Sequence, residues 1–153
     1  MRNLKPILLV EDDRIDVMMF KRAVEELNIT SPLVQANNGE EALQYLRDES
    51  NEKPGIILLD LNMPKMNGIE FLKVVKADDI LKTIPVVVLT TSQEEEDVIE
   101  SFKLSIAGYM VKPHNYKKLM KTIASIESYW TLSELPNQEM GVKNANIEAN
   151  IIS

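Results

Sequence analysis

Short apolar runs and amphipathic segments alternate five times along this chain. The runs are strand-sized and rich in Ile, Leu and Val; they cover residues 7–10, 33–36, 56–59, 86–89 and 106–111. The segments that follow them carry apolar residues three and four positions apart, which is the spacing of one helix face. Strands that alternate with helices predict right-handed βαβ units and a parallel sheet. We therefore expect an α/β fold.

Five such units favour a flavodoxin-like, doubly wound (βα)5 arrangement with the sheet order 2-1-3-4-5. In this order strands 1, 3 and 4 are neighbours, so their carboxyl ends meet at one edge, where open α/β sheets bind ligands. Helix starts are predicted at three polar residues, Asn38, Ser92 and Asn115. The residues that directly follow the strands are the candidates for function.

Composition excludes several classes of protein. The 153 residues suffice for one domain, and the formal net charge of −7 comes without a basic block, so neither nucleic acid nor an anionic membrane surface is an expected partner. The chain has no cysteine for disulfides or thiolate metal sites. No apolar run has the length of a membrane span. We expect a soluble, cytoplasmic domain.

The pattern of alternation stops near residue 130. Beyond it, Pro, Gly and several Asn occur without a sustained period, and so short a segment is not expected to fold alone. We expect one domain over residues 1–130 and a flexible tail over residues 131–153, with no effector domain.

Candidate functional residues stand at the ends of four of the five strands. They are Glu11, Asp12 and Asp13 after the first, Asp60 and Asn62 after the third, Thr90 after the fourth and Lys112 after the fifth. Carboxylates in one pocket repel each other, and a hard cation such as Mg²⁺ removes that conflict. We expect Asp13 and Asp60 to bind Mg²⁺ directly, with the backbone carbonyl of Asn62. Asp12 binds it directly or through water. Alternatively, Asp12 and Asp13 cap the first helix and Asp60 caps its loop.

The same edge offers the groups of a phosphoryl-transfer site. A carboxylate oxygen of Asp60 can attack phosphorus and give an acyl phosphate. Mg²⁺, Lys112 and the Thr90 hydroxyl would then contact the phosphoryl oxygens, where negative charge accumulates. Lys112 has a simpler interpretation as a counter-ion for the carboxylates, and both roles can hold in turn.

Taken together, these residues resemble the motifs of the receiver domain of two-component response regulators. The resemblance covers residues 6–129 and rests on Val10-Glu11-Asp12-Asp13, Asp60-Leu61-Asn62-Met63-Pro64 with Gly68, Val88-Leu89-Thr90 and Tyr109-Met110-Val111-Lys112-Pro113. It implies that a sensor histidine kinase phosphorylates Asp60, and that Asp12, Asp13 and Asp60 hold Mg²⁺. It also implies a cis peptide bond before Pro113, and a switch in which Thr90 and Tyr109 move together. From the residues alone, Tyr109 reads as a half-buried strand aromatic.

A narrower resemblance is to the stand-alone regulators of the cyanobacterial-phytochrome kind. It is carried by residues 8–16, 89–98 and 126–130. It suggests a phytochrome as the kinase and a homodimer that uses the face of helix 4, strand 5 and helix 5 and the region of Trp130. We place Tyr129 and Trp130 beyond the last helix, either in a dimer contact or folded back onto the sheet edge. Thr91 departs from the family, which usually has Ala or Gly there, and predicts a longer-lived phosphate.

Two other functions are compatible with the fold class. A metal-dependent phosphatase would need a second acid two positions after its nucleophile, where this chain has Asn62. A flavin-binding electron carrier would offer hydroxyls and glycine to a phosphate in its first loop, where this chain has Glu11, Asp12 and Asp13. We therefore expect a phosphoryl-activated switch with Mg²⁺-dependent self-phosphorylation and dephosphorylation, rather than an enzyme that acts on free substrates.

Overall fold

A computed structural model describes residues 5–132. In this part of the chain five strands alternate with five α-helices, and one short 3₁₀ helix precedes the fourth strand. The elements are β1 (Ile7–Val10), α1 (Arg14–Glu26), β2 (Leu33–Ala36), α2 (Gly39–Arg47), β3 (Ile56–Leu59), α3 (Gly68–Ala77), the 3₁₀ helix (Leu81–Thr83), β4 (Val86–Thr90), α4 (Glu95–Lys103), β5 (Gly108–Val111) and α5 (Tyr116–Leu132). Most of the tail predicted over residues 131–153 lies outside the described residues.

The five strands form one parallel sheet in the order β2-β1-β3-β4-β5. The predicted flavodoxin-like fold class is therefore confirmed. Val10 pairs with Leu59 at the ends of β1 and β3, and Thr90 pairs with Val111 at the ends of β4 and β5. This register brings the residues after β1, β3, β4 and β5 to one edge of the sheet.

Each central strand is buried on both faces, because helices cover the sheet on both sides. Successive side chains along a strand point to opposite faces. Leu8, Ile57 and Val88 pack in the cluster that includes residues of α2 and α3. Leu9 and Leu58 pack in the other cluster, with residues of α1 and α5. Burial on both faces explains why the strands read as continuous apolar runs rather than as alternating ones.

Side chains cap most of the helix starts. Asn38 accepts a hydrogen bond from the backbone N–H of Glu41, and Asn115 accepts one from Lys118, so both predicted caps are confirmed. The predicted cap at Ser92 is wrong. Helix α4 begins later, after Glu94, and no side chain caps it. The Ser92 hydroxyl accepts a hydrogen bond from the backbone N–H of Glu94, which lies before the helix, and donates one to Asp97.

The last helix is longer than predicted. The placement of Tyr129 and Trp130 beyond that helix is wrong, because α5 continues to Leu132 and both residues lie within it. Trp130 is 8% exposed and packs in the core cluster between α1, α5 and the sheet. It also covers Gly55, where an added Cβ would lie 3.0 Å from the indole Nε1. Tyr129 is 62% exposed.

No helix within residues 5–132 is both long enough and apolar enough to cross a membrane.

Candidate functional site

Three carboxylates meet at the carboxyl edge of the sheet. One oxygen each of Glu11, Asp12 and Asp60 lies within 4.8 Å of the others. Glu11 and Asp60 are 3% and 5% exposed, whereas Asp12 is exposed. The sheet register is the cause, since Val10 pairs with Leu59 and the next residue of each strand is an acid. The backbone N–H of Asp60 donates to the carbonyl of Val10 over 3.0 Å and holds this register at the edge.

The two carboxylate oxygens of Asp60 have different surroundings. Oδ1 accepts a hydrogen bond from the Thr90 hydroxyl over 2.8 Å and a longer one, of 3.4 Å, from the backbone N–H of Asn62. Oδ2 lies 3.6 Å from Nζ of Lys112, too far for a hydrogen bond. Oδ1 is therefore anchored, and no described residue donates a hydrogen bond to Oδ2.

Lys112 is the cation of the site. Its Nζ lies 2.6 Å from Oε2 of Glu11 and 2.8 Å from Oδ2 of Asp16, and its backbone N–H donates to the carbonyl of Thr90 over 2.7 Å. Burial opposes the charge on Lys112, but hydrogen bonds to Asp16 and Glu11 and the charges of Glu11 and Asp60 raise its pKa above the ordinary lysine range. Lys112 therefore stays protonated in the site.

Burial dominates the protonation of Glu11. It raises the pKa of the Glu11 carboxyl to about 7, against the opposing effect of the hydrogen bonds from Lys112 and from the backbone N–H of Asp13. The nearby charge of Asp60 acts in the same direction as burial. Positive charge in this pocket would favour the ionised form of Glu11.

Asp13 stands apart from the three carboxylates. Its Oδ1 accepts hydrogen bonds from the backbone N–H groups of Ile15 and Asp16, at 2.9 and 3.1 Å, which is the geometry of an N-cap. The structure thus places Asp13 at the start of α1. The three carboxylates that lie close together, here called the acid group, are those of Glu11, Asp12 and Asp60. The sequence does contain a signal for Glu11. Both β1 and β3 are four apolar residues followed directly by an acid, and aligning these two segments sets Glu11 beside Asp60.

The donor set suits a hard divalent cation. Glu11, Asp12 and Asp60 offer carboxylate oxygens in close proximity, and Mg²⁺ and similar ions bind to oxygen ligands of this kind. Lys112 is the nearby positive charge that balances part of this group. The acid group therefore fits a divalent metal.

Thr90 and Tyr109 are linked through the loop between β4 and α4. The Tyr109 hydroxyl donates to the carbonyl of Ser92 over 2.9 Å, and the backbone N–H of Ser92 donates to the Thr90 hydroxyl over 3.3 Å. The Ser92 hydroxyl in turn donates to Asp97 of α4 over 2.6 Å. Because Thr90 also donates to Asp60, a continuous path of hydrogen bonds runs from the candidate nucleophile to β5 and α4. Ser92 carries this path, a role that its sequence position did not indicate.

A cavity of about 240 Å³ lies beside Asp60 and Lys112. The side chains of Glu11, Asp16 and Thr91 line its polar part. Apolar residues of β1, β3, β4, α1 and α5 line the rest. The site is therefore open to small molecules on this side, and Thr91, which is exposed, stands at its wall.

The expected cis peptide bond before Pro113 is wrong. The described residues contain no cis peptide bond, so the bond between Lys112 and Pro113 is trans. The trans form is the intrinsically favoured one for a peptide bond that precedes proline.

The response regulator receiver domain family matches residues 7–124 of the chain. The chain belongs to this family. The response regulator Rcp1 of Synechocystis sp. is 42% identical over 130 residues, which cover 82% of this chain and 88% of that protein.

Two solved structures share the fold of this receiver, and one of them relates it to the phytochrome response regulators. Phosphorylated RcpA, a cyanobacterial phytochrome response regulator, matches with a TM-score of 0.82 at 38% identity, over 88% of this chain and 100% of that chain. The Mn²⁺-bound form of Rcp1 matches with a TM-score of 0.80 at 40% identity, over 87% of this chain and 99% of that chain. Receiver domains are signalling switches rather than enzymes of the usual kind.

Proposed function

We propose that this receiver accepts a phosphoryl group on Asp60 from a sensor histidine kinase and signals by changing its contacts with other proteins. The observation that carries this proposal is the asymmetry of the Asp60 carboxylate. Oδ1 is held by Thr90 at 2.8 Å, while Oδ2, in a buried residue at the end of β3, receives no hydrogen bond from the described residues and faces a lysine ammonium at 3.6 Å. A free carboxylate oxygen beside a fixed cation suits nucleophilic attack on a phosphoryl group.

The transfer needs no proton acceptor at the attacking atom. Oδ2 of Asp60 forms the new O–P bond while the P–N bond of the kinase phosphohistidine breaks. The electron pair of that bond passes to the imidazole nitrogen of the kinase, which takes up a proton from solvent. Lys112 and Thr90 donate hydrogen bonds to the transferred oxygens, where charge accumulates. The absence of an acid at Asn62 fits this chemistry, since no leaving alcohol has to be protonated.

We propose that Mg²⁺ is the metal that binds at this site. Asp12 and Asp60 would hold it together with the backbone carbonyl of Asn62, and Glu11 stands in the same acid group. Asp13 is left out of this set, because its carboxylate caps α1. When bound, Mg²⁺ supplies positive charge to the phosphoryl oxygens and lowers the repulsion among the carboxylates. Self-phosphorylation from small donors and slow dephosphorylation are part of the same proposal.

The output is proposed to leave through α4, β5 and α5. The hydrogen bonds from Thr90 through Ser92 end at Tyr109 and at Asp97 of α4. Large apolar side chains are exposed on these same elements, namely Ile99, Phe102, Val111 and Tyr129. Such exposure marks surfaces that meet a partner. A phosphoryl group that alters the hydrogen bonds of this path would therefore change the exposed surface of α4, β5 and α5. A second copy of this chain, which would form a homodimer, is one proposed partner of that surface. Trp130 is buried beside Gly55, in the core cluster with residues of α1 and α5, and does not add to this exposed surface.

The proposed kinase is a phytochrome, since RcpA is a cyanobacterial phytochrome response regulator. Ile15 and Met18 expose apolar surface on α1, next to the residues that follow β1, and are the proposed kinase contact. A cytoplasmic location belongs to this proposal.

Incubation with acetyl phosphate and Mg²⁺, followed by intact mass and size-exclusion measurements, tests the proposal. The wild type is expected to gain the mass of one phosphoryl group, Asp60→Asn is expected to gain none, and the elution volume is expected to change only for the wild type. No gain in the wild type, or an equal gain in Asp60→Asn, would refute phosphorylation at Asp60.

A further inference from the structure

Carboxylates on three sides determine where the Lys112 ammonium rests. Its Nζ lies 2.6 Å from Glu11, 2.8 Å from Asp16 and 3.6 Å from Oδ2 of Asp60. The first two distances are those of charge-assisted hydrogen bonds, and the third is an ion contact only. The ammonium is therefore drawn toward Glu11 and Asp16 and stands back from Asp60.

Asp16 differs from the other two carboxylates in its position. Glu11 and Asp60 belong to the acid group that fits a divalent cation, so a bound cation would compete with Lys112 for their oxygens. Asp16 lies in the first turn of α1, outside that group. Its side chain is 39% exposed, and its carboxylate donates no ligand to the acid group. The contact with Asp16 is therefore the only one of these three Lys112 contacts that uses no oxygen of the acid group.

We propose that Asp16 is a positioning residue for Lys112, which holds the ammonium away from Oδ2 of Asp60 so that this oxygen stays free to attack phosphorus. The ammonium has three donor hydrogens. Two are directed to Glu11 and Asp16, and the third is left for an oxygen of the incoming phosphoryl group. Without Asp16, the ammonium moves onto Oδ2 of Asp60, since unpaired charges attract strongly in a buried site. The hydrogen bond formed there competes with attack. This inference rests on the proposed function.

A structural role of Asp16 needs its own control. An acid in the first turn also favours the helix start through the helix dipole, and its removal can lower stability without touching Lys112. Glu40 is a matched residue, because it is an exposed acid in the first turn of α2 and lies outside the acid group. Asp16→Asn serves as the conservative variant, since the amide keeps an oxygen that can accept the hydrogen bond of Lys112.

The first test is the rate of phosphorylation by acetyl phosphate at saturating Mg²⁺, followed by intact mass. Asp16→Ala is expected to react about tenfold more slowly than the wild type, the effect of losing one charge-assisted hydrogen bond. Asp16→Asn is expected to stay within roughly threefold of the wild type, and Glu40→Ala to be unchanged. In a Lys112→Ala background, Asp16→Ala should cause no further loss, because Asp16 acts only through the ammonium. A purely structural role would lower the rate in both backgrounds.

The second test observes the ammonium itself. In ¹H–¹⁵N spectra, the Lys112 NH₃⁺ group of the wild type should exchange slowly with water and give a signal, and Asp16→Ala should lose that signal while Glu40→Ala keeps it. Equal phosphorylation rates for the wild type and Asp16→Ala, or an equal loss in the Lys112→Ala background, would overturn the inference about Asp16 alone. A wild type that gains no phosphate overturns the proposed function and this inference with it.

Discussion

Oε2 of Glu11 and Nζ of Lys112 lie 2.6 Å apart, which makes this buried ion pair the shortest of the three that Lys112 forms with Glu11, Asp16 and Asp60. It joins the end of β1 to the end of β5 across the edge of the sheet. Burial nevertheless raises the pKa of Glu11 to about 7. The pair therefore couples the stability of the fold to pH.

We expect the metal-free protein to lose stability as pH rises from about 4.5 to about 7. The ordinary pKa of Glu11 is 4.5 and the folded value is about 7, so in this range the folded protein holds a proton that the unfolded chain releases. The free energy of unfolding then falls with pH, by on the order of 2 kcal/mol across the window. Urea unfolding in the presence of a chelator at several pH values measures this. Glu11→Gln should remove the slope; an unchanged slope would contradict the assignment to Glu11.

Asp12 and Asp13 should respond differently to loss of charge. Asp12→Asn removes an oxygen ligand from the acid group, and we expect the affinity for Mg²⁺ to fall about tenfold or more. Asp13→Asn keeps a good N-cap residue at the start of α1, and should change neither Mg²⁺ affinity nor stability appreciably. Calorimetric titration with Mg²⁺ compares the two. A larger loss of affinity in Asp13→Asn would return Asp13 to the metal site.

Thr91 should prolong the life of the phosphorylated protein. Its exposed side chain lines the cavity beside Asp60 and narrows the approach of water to the phosphoryl group. Thr91→Ala is expected to dephosphorylate about three to ten times faster, as followed by the decay of the phosphorylated mass. Thr83→Ala, in the 3₁₀ helix before β4, is the control and should leave the rate unchanged. If phosphorylated Thr91→Ala loses its phosphoryl group at the wild-type rate, the Thr91 side chain does not limit the access of water.

Gly68 is required by the packing of the loop after β3. An added Cβ at Gly68 would lie 2.6 Å from the backbone oxygen of Asp60 and 2.7 Å from Cα of Leu61, and backbone atoms cannot move aside without displacing Asp60. We expect Gly68→Ala to lower the free energy of unfolding by about 2–4 kcal/mol and to slow phosphorylation. Gly108→Ala is the matched control, because its nearest neighbour would be 4.0 Å away; it should change stability by less than about 1 kcal/mol. Equal stability of the two variants would refute the steric argument.

Several residues of the site were predictable because they follow apolar strands. Asp60, Thr90 and Lys112 each stand at or just beyond the end of a strand, and the parallel order alone brings such positions to one edge. The position of Glu11 beside Asp60 follows from the same rule. When the apolar runs of β1 and β3 are aligned on their last residues, the next residue of each is an acid. Ser92 was not, because its role depends on where α4 begins, and no side chain caps that helix.

The sequence by itself determined the parallel sheet and its strand order, since strands that are buried on both faces must be unbroken apolar runs. It also determined that carboxylates, a threonine and a lysine meet at one edge, because the carboxyl ends of parallel strands lie at the same edge of the sheet. Only the tertiary structure decided which carboxylate does what. Asp13 accepts hydrogen bonds from helix N–H groups at 2.9 and 3.1 Å, because α1 begins directly after it. Glu11, which directly follows β1, lies in the acid group with Asp12 and Asp60. The ion pair between Asp16 and Lys112 joins residues 96 positions apart. Such a contact depends on how α1 packs beside α5 on one face of the sheet, which no local pattern contains.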